Sequence, residues 1–177
     1  MDPFQACRAW SQGEVARQFT CDAPFAWNDD GHGGLCCQLT LWGEFYEFEM
    51  YQGLSPEGLH CAMLKTACYK PIDLSFHWQV LEYLNQLRVT MPVGVLSGGS
   101  FNLLSGYFDA AEQMTLNQIV CARSFDPDMA QNLVLSAVKL TFAVEGVREI
   151  SDRGAGVPQA IAAYYAAETR LADCSFD

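Results

Sequence analysis

Apolar and polar residues alternate with a period of two along three successive runs from Leu35 to Cys68, the spacing of half-buried β-strands. In the first run Leu35, Cys37, Leu39 and Leu41 point one way, while Cys36, Gln38, Thr40 and Trp42 point the other. A turn around Trp42, Gly43 and Glu44 leads to the second, where Tyr46, Phe48 and Met50 share one face. Glu47 and Glu49 fall on the opposite face, with Phe45 and Tyr51 at its ends. The loop from Gln52 to Gly58 reverses the chain. In the third run, Leu59 to Cys68, His60, Ala62, Leu64 and Thr66 lie on one side and Cys61, Met63 and Lys65 on the other. Together they predict a β-meander.

At Asp73 the period lengthens to that of a helix. Its carboxylate can accept hydrogen bonds from the first-turn amides, which makes it an N-cap. Leu74, Trp78, Leu81, Leu84, Leu87 and Met91 follow near a 3.6 repeat, and Phe76, Val80, Tyr83 and Leu87 broaden the stripe. Pro92 and Gly94 end it. A helix apolar over more than one face needs cover on two sides. The sheet supplies one, and a second helix or a second subunit the other. Two more strand-like runs, Ser100 to Phe108 and Met114 to Phe125, flank a turn at residues 109–113 and predict a β-hairpin. Asp126 and Pro127 then supply an N-cap and a first-position proline. The helix they open carries Met129, Leu133, Ala137, Leu140, Val144 and Val147 on one face and breaks at residues 151–156.

The chain ends flank this core. Phe4, Cys7, Ala9, Trp10, Val15 and Phe19 predict a short helix interrupted near Gly13. Asn28, Asp29, Asp30, Gly31, Gly33 and Gly34 predict a turn, with a short strand at residues 25–27 before it. A stretch from Pro158 to about Ala172 predicts one more amphipathic helix, through Ile161, Tyr164, Tyr165 and Leu171. The α-β-β-β-α-β-β-α order predicts an α+β fold: an antiparallel five-stranded sheet with helices packed on it, not the alternating βαβ of a nucleotide-binding enzyme. No repeat, low-complexity tract or linker interrupts it. Residues 1–177 read as a single domain, with a core at about 5–150 and a helical tail at about 155–177.

Composition sharpens the picture. Half of the 177 residues are hydrophobic and 12% aromatic, ample for a core without metal or disulfides, while only 18% are charged. So small a charged share leaves room for an extra buried surface such as a homodimer interface. The net charge of -11 opposes nucleic acid and anionic membrane surfaces and favours a cationic or amphipathic polypeptide. No run of about 18 apolar residues predicts a membrane span. The N-terminus lacks the basic start and apolar run of a secretory leader. Eight cysteines without a leader predict free thiols in a reducing compartment, the cytoplasm.

No catalytic signature emerges. The cysteines contain no Cys-x-x-Cys pair, and His32 with Cys36, Cys37, Cys61 and Cys68 does not match zinc spacing. Adjacent strand cysteines point to opposite faces, so small buried thiols explain them better than ligands. His32, His60 and His77 sit in no nucleophile signature, and Ser97 to Ser100 lacks the lysine of a phosphate loop. Glu47 and Glu49 read as the solvated face of a half-buried sheet rather than as an acid–base pair. No cofactor, metal or catalytic residue is assigned. Trp42, Phe45 and Tyr51, on the more polar side of their strands, are the candidates for an exposed partner-binding patch.

With this order in hand, the chain resembles the type III secretion chaperone-like superfamily, specifically its YbjN-type branch. The features shared are the element order, the helix from Trp78 to Leu87 (WQVLEYLNQL) with its Leu84–Asn85 pair, and the turn from Met91 to Gly94 before a hairpin and closing helix. The likeness covers about residues 5–150. It implies a compact homodimer without a catalytic centre that binds an extended partner segment across apolar sheet and helix surfaces. The expected function is therefore a non-enzymatic cytoplasmic chaperone or adaptor, with Trp78, Leu81 and Leu84 in the dimer contact. A small-molecule or lipid carrier with an apolar pocket is the alternative. A thiol- or carboxylate-using enzyme would need a histidine brought beside a cysteine or carboxylate.

Overall fold

A computed structural model describes residues 1–12, 27–41, 44–90 and 101–173. Within them the chain runs α1 (Pro3–Gln12), β1 (Asn28–Asp29), β2 (Leu35–Leu41), β3 (Glu44–Leu54), β4 (His60–Pro71), α2 (Leu74–Thr90), β5 (Phe101–Phe108), β6 (Gln113–Ala122), α3 (Pro127–Ser151) and α4 (Val157–Asp173). The strands form one antiparallel sheet in the order β1-β2-β3-β4-β6-β5. The fold is thus α+β, as the element order predicts. The described sheet has six strands rather than five, because Asn28 and Asp29, expected in a turn, pair with Cys36 and Leu35. The turn lies just beyond them. There Asp30 accepts from the amides of His32 and Gly34, at 2.7 and 2.9 Å, and Gly31 and Gly33 take positive φ.

The two-residue alternation sorts the sheet into two faces. Tyr46, Phe48 and Met50 of β3, Ala62, Leu64 and Thr66 of β4, and Met114, Leu116, Gln118 and Val120 of β6 are buried under the helices. Thr66 and Gln118 are the polar members of that layer, and Thr66 Oγ1 donates to the Glu47 carbonyl at 2.9 Å. The hairpin predicted after α2 forms, and it inserts β6 against β4, leaving β5 as the outer strand. Its turn is held by Asp109, which accepts from the amides of Ala111 (2.8 Å) and Gln113 (3.0 Å).

The helix α3 is the centre of the core. Asp126 caps it, accepting from the Met129 amide at 2.9 Å, with Pro127 following as predicted. Its apolar residues are not confined to one stripe: Leu133, Ala137, Val138, Leu140, Phe142, Ala143, Val144, Val147 and Ile150 are all buried. The helix meets β4 and β6 on one side and α1, α2 and α4 on the others, so every face needs an apolar residue. Small residues bring α2 close. A Cβ on Gly146 would occupy the place of the Tyr83 phenol, which donates to the Ala143 carbonyl at 3.2 Å. Beyond α3, Gly154 at φ +66° turns the chain, and α4 packs back through Val157, Ala160 and Tyr164. The tail is part of the packed structure.

The cysteines depart from expectation. Cys61 of β4 and Cys121 of β6 stand opposite each other in register, 4.2 Å apart at Cα, and form a disulfide, where the sequence predicts free thiols. Their pairing depends on which strand lies beside β4, and no local pattern encodes that.

Candidate functional site

The helices α1, α2 and α3 meet the sheet while α4 packs on α2 and α3, and the alternate strand positions face away from the buried layer, so the chemistry of that outer face is the first candidate surface. Register places four rows across it. Tyr51 of β3 stands beside Met63 and Ile119, and Gly53 beside Cys61 and Cys121. Glu49 stands beside Lys65, Asn117 and Ser105, and Ala67 beside Thr115 and Tyr107.

Glu47, Glu49, Lys65, Thr66, Ala67, Asp109 and Thr115 line a hollow of about 170 Å³ on this face. Three carboxylates against one ammonium make it acidic. Lys65 Nζ lies 3.7 Å from Glu49, and the Tyr51 hydroxyl donates to Glu49 at 2.7 Å. That hydrogen bond, more than the partial burial beside it, pushes the Tyr51 phenol up to about 12. Tyr51 and Tyr107, 40% and 47% exposed, neighbour residues that line the hollow, Tyr51 through its hydrogen bond to Glu49 and Tyr107 through its pairing with Thr115. A second hollow of about 380 Å³ lies at the β3–β4 end, lined by Asp2, Gln52, Gly53, Leu54 and His60. Among the described residues lining the two hollows, Leu54 is the one large apolar side chain.

The second candidate surface is the outer side of α2. Leu74, Trp78 and Leu81, one or two turns apart, are 68%, 77% and 41% exposed. The sequence places Leu84 with them in a dimer contact, and the structure corrects this. Leu84 is only 6% exposed and packs into β5, where Gly106 has no Cβ and an added methyl would come 2.8 Å from Leu84 Cδ1. The core face of the helix is Val80, Tyr83, Leu84 and Leu87. Of the three residues expected in the partner-binding patch, Tyr51 reaches the outer face, while Trp42 and the side chain of Phe45 lie outside the described residues.

The remaining chemistry is structural. His77 Nε2 lies 2.8 Å from the Ile72 carbonyl and its ring stacks on Phe108 at 3.6 Å, fixing the start of α2 on the hairpin. No histidine is hydrogen-bonded through its ring to a cysteine or carboxylate among the described residues. Tyr46 donates to Glu145 at 2.7 Å and lies under Arg148, which also pairs with Glu145, so this half-buried group ties α3 to β3. His, Cys, Asp and Glu nowhere gather into a metal-binding group of three among the described residues. No described helix is long and apolar enough to cross a membrane. The sequence reading missed Tyr107 and Asp109 as members of the outer face. Asp109 carried a signal as a turn residue, but its place beside Glu47 and Glu49 follows from strand order.

Compared with family models, curated proteins and solved structures, the chain finds no match.

Proposed function

We propose that the protein is a non-enzymatic polypeptide-binding chaperone or adaptor that acts as a homodimer and lays a cationic or amphipathic partner segment over the outer face of its sheet. The observation that carries this reading is the acidic hollow of Glu47, Glu49 and Asp109 beside the exposed Tyr51, bonded to Glu49, and the exposed Tyr107, paired with Thr115. Carboxylates there favour Lys and Arg over acidic side chains. Rigid aromatic rings offer contact area at little cost in rotamer freedom, and they can also hold a cation over their faces. An extended segment can cross the face or add to the β5 edge. The stripe of Leu74, Trp78 and Leu81 on α2 supports a contact with a second copy, which the resemblance to secretion chaperones also implies.

The test is titration with a labelled amphipathic peptide carrying Lys and Arg, beside the same peptide with those residues replaced by Glu. Preference for the basic peptide, weakened by Tyr51→Ser and Tyr107→Ser and by added salt, supports the proposal. Equal affinity for both peptides, or none for either, refutes it. Sedimentation of the wild type against Trp78→Ser checks the dimer separately: a monomer at all concentrations removes that part.

A further inference from the structure

The outer face also carries a feature that peptide binding does not use. We propose that Cys61 and Cys121 form a reversible redox pair, open to thiol–disulfide exchange with small thiols of the glutathione class through the sulfur of Cys61. The inference does not rest on the polypeptide-binding reading.

Access is one-sided. Cys121 is 1% exposed, while Cys61 is half-buried. The residue opposite Cys61 on β3 is Gly53, and among the described residues no atom beyond its own chain neighbours lies within 4 Å of where its Cβ would stand. The missing side chain leaves an approach to the Cys61 sulfur from the outer face.

Breaking the bond leaves the strands in place. The crosslink joins two neighbours already paired in continuous register from His60 with Ala122 to Ala67 with Thr115. The backbone ladder holds β4 against β6 without it. The Leu59 carbonyl lies 3.7 Å from Cys61 Sγ, within reach of the thiol hydrogen that reduction would place there. Among the described residues the remaining cysteines are poor competitors, because exchange needs a thiolate. Burial pushes the Cys7 thiol up to about 12 and raises Cys37 well above its ordinary value, and burial beside acidic neighbours raises Cys36.

The exchange balances as follows. A small-molecule thiolate attacks Cys61 Sγ; the electron pair of the protein S–S bond leaves on Cys121 Sγ, which takes a proton. A second thiolate attacks the outer sulfur of the mixed disulfide and frees the Cys61 thiolate, which is protonated in turn. Two small thiols become one disulfide, and the protein disulfide, reduced by two electrons, becomes two thiols. Glutathione disulfide drives the reverse.

The full chain would be equilibrated in buffers of varied reduced-to-oxidised glutathione ratio, acid-quenched, alkylated with a maleimide and mapped by mass spectrometry. The proposal expects Cys61 and Cys121 to gain label together, reversibly, while circular dichroism before the quench remains native. In oxidised glutathione, Cys121→Ala protein should acquire the glutathione adduct on Cys61, and Cys61→Ala protein none on Cys121. A pair that yields to reductant only after denaturation, or that labels as two independent thiols at every ratio, overturns it. Those wild-type outcomes decide the matter even if a variant fails to fold.

Discussion

The two faces of the sheet are built from the same strands and the same alternation, yet their side chains do opposite work. Toward the helices, Tyr46, Phe48, Met50, Leu64 and Leu116 are buried and interlocked with α3. On the other side Glu47, Glu49, Tyr51 and Lys65 keep contact with solvent. The same division runs along α2, where Tyr83 and Leu87 are buried and Trp78 is 77% exposed. The inner layer specifies the fold by volume and contact. The outer one carries charge and aromatic rings along β3, while Thr115, Asn117 and Cys121 of β6 are buried on it. The proposed partner site on the outer face rests on that contrast.

The contrast can be broken most sharply from inside. Gly146→Ala drives a methyl into the Tyr83 phenol and displaces its hydrogen bond to Ala143, so denaturant unfolding should show a loss of about 3 kcal/mol. A smaller effect is expected at the mouth of α3. Asp126→Ala removes the cap on the Met129 amide and should cost about 1 kcal/mol by the same measurement. On the outside, Trp78→Ser should change stability by less than about 0.5 kcal/mol while shifting the sedimentation coefficient toward the monomer. Tyr164 offers the finest probe. Its buried hydroxyl has no hydrogen-bond partner among the described residues, and burial raises its pKa, so Tyr164→Phe should leave thermal stability unchanged or slightly raised.

Acid separates the regions in another way. The amides of His32 and Gly34 hold the Asp30 carboxyl below its ordinary value of 3.8. A group with a lowered folded pKa contributes stability above its unfolded value and loses it as the pH falls through the folded one. The turn between β1 and β2 should therefore loosen under acid. Amide resonances of His32 and Gly34 followed from neutral pH downward should shift below about pH 4 while those of α3 hold.

Much of this architecture was legible in local pattern. The meander, the hairpin at Asp109, and the Asp126–Pro127 start of α3 all follow from signals within a few residues. What was not legible depends on partners distant in sequence. Leu81 and Leu84 lie on the same apolar stripe, and only the gap left by Gly106 in β5 draws Leu84 into the core. Cys61 and Cys121 meet because β6 rather than β5 lies against β4. The hollow likewise needed strand order to bring Asp109 beside Glu47 and Glu49, while Tyr51 was placed correctly by alternation alone.

The most direct measurement is hydrogen–deuterium exchange with and without a saturating Lys- and Arg-bearing amphipathic peptide. The account predicts added protection in β3 around Glu49 and Tyr51 and in β5 around Tyr107, with α3 and α4 unchanged. Protection confined to the helices, or absent from every strand at saturation, would contradict it.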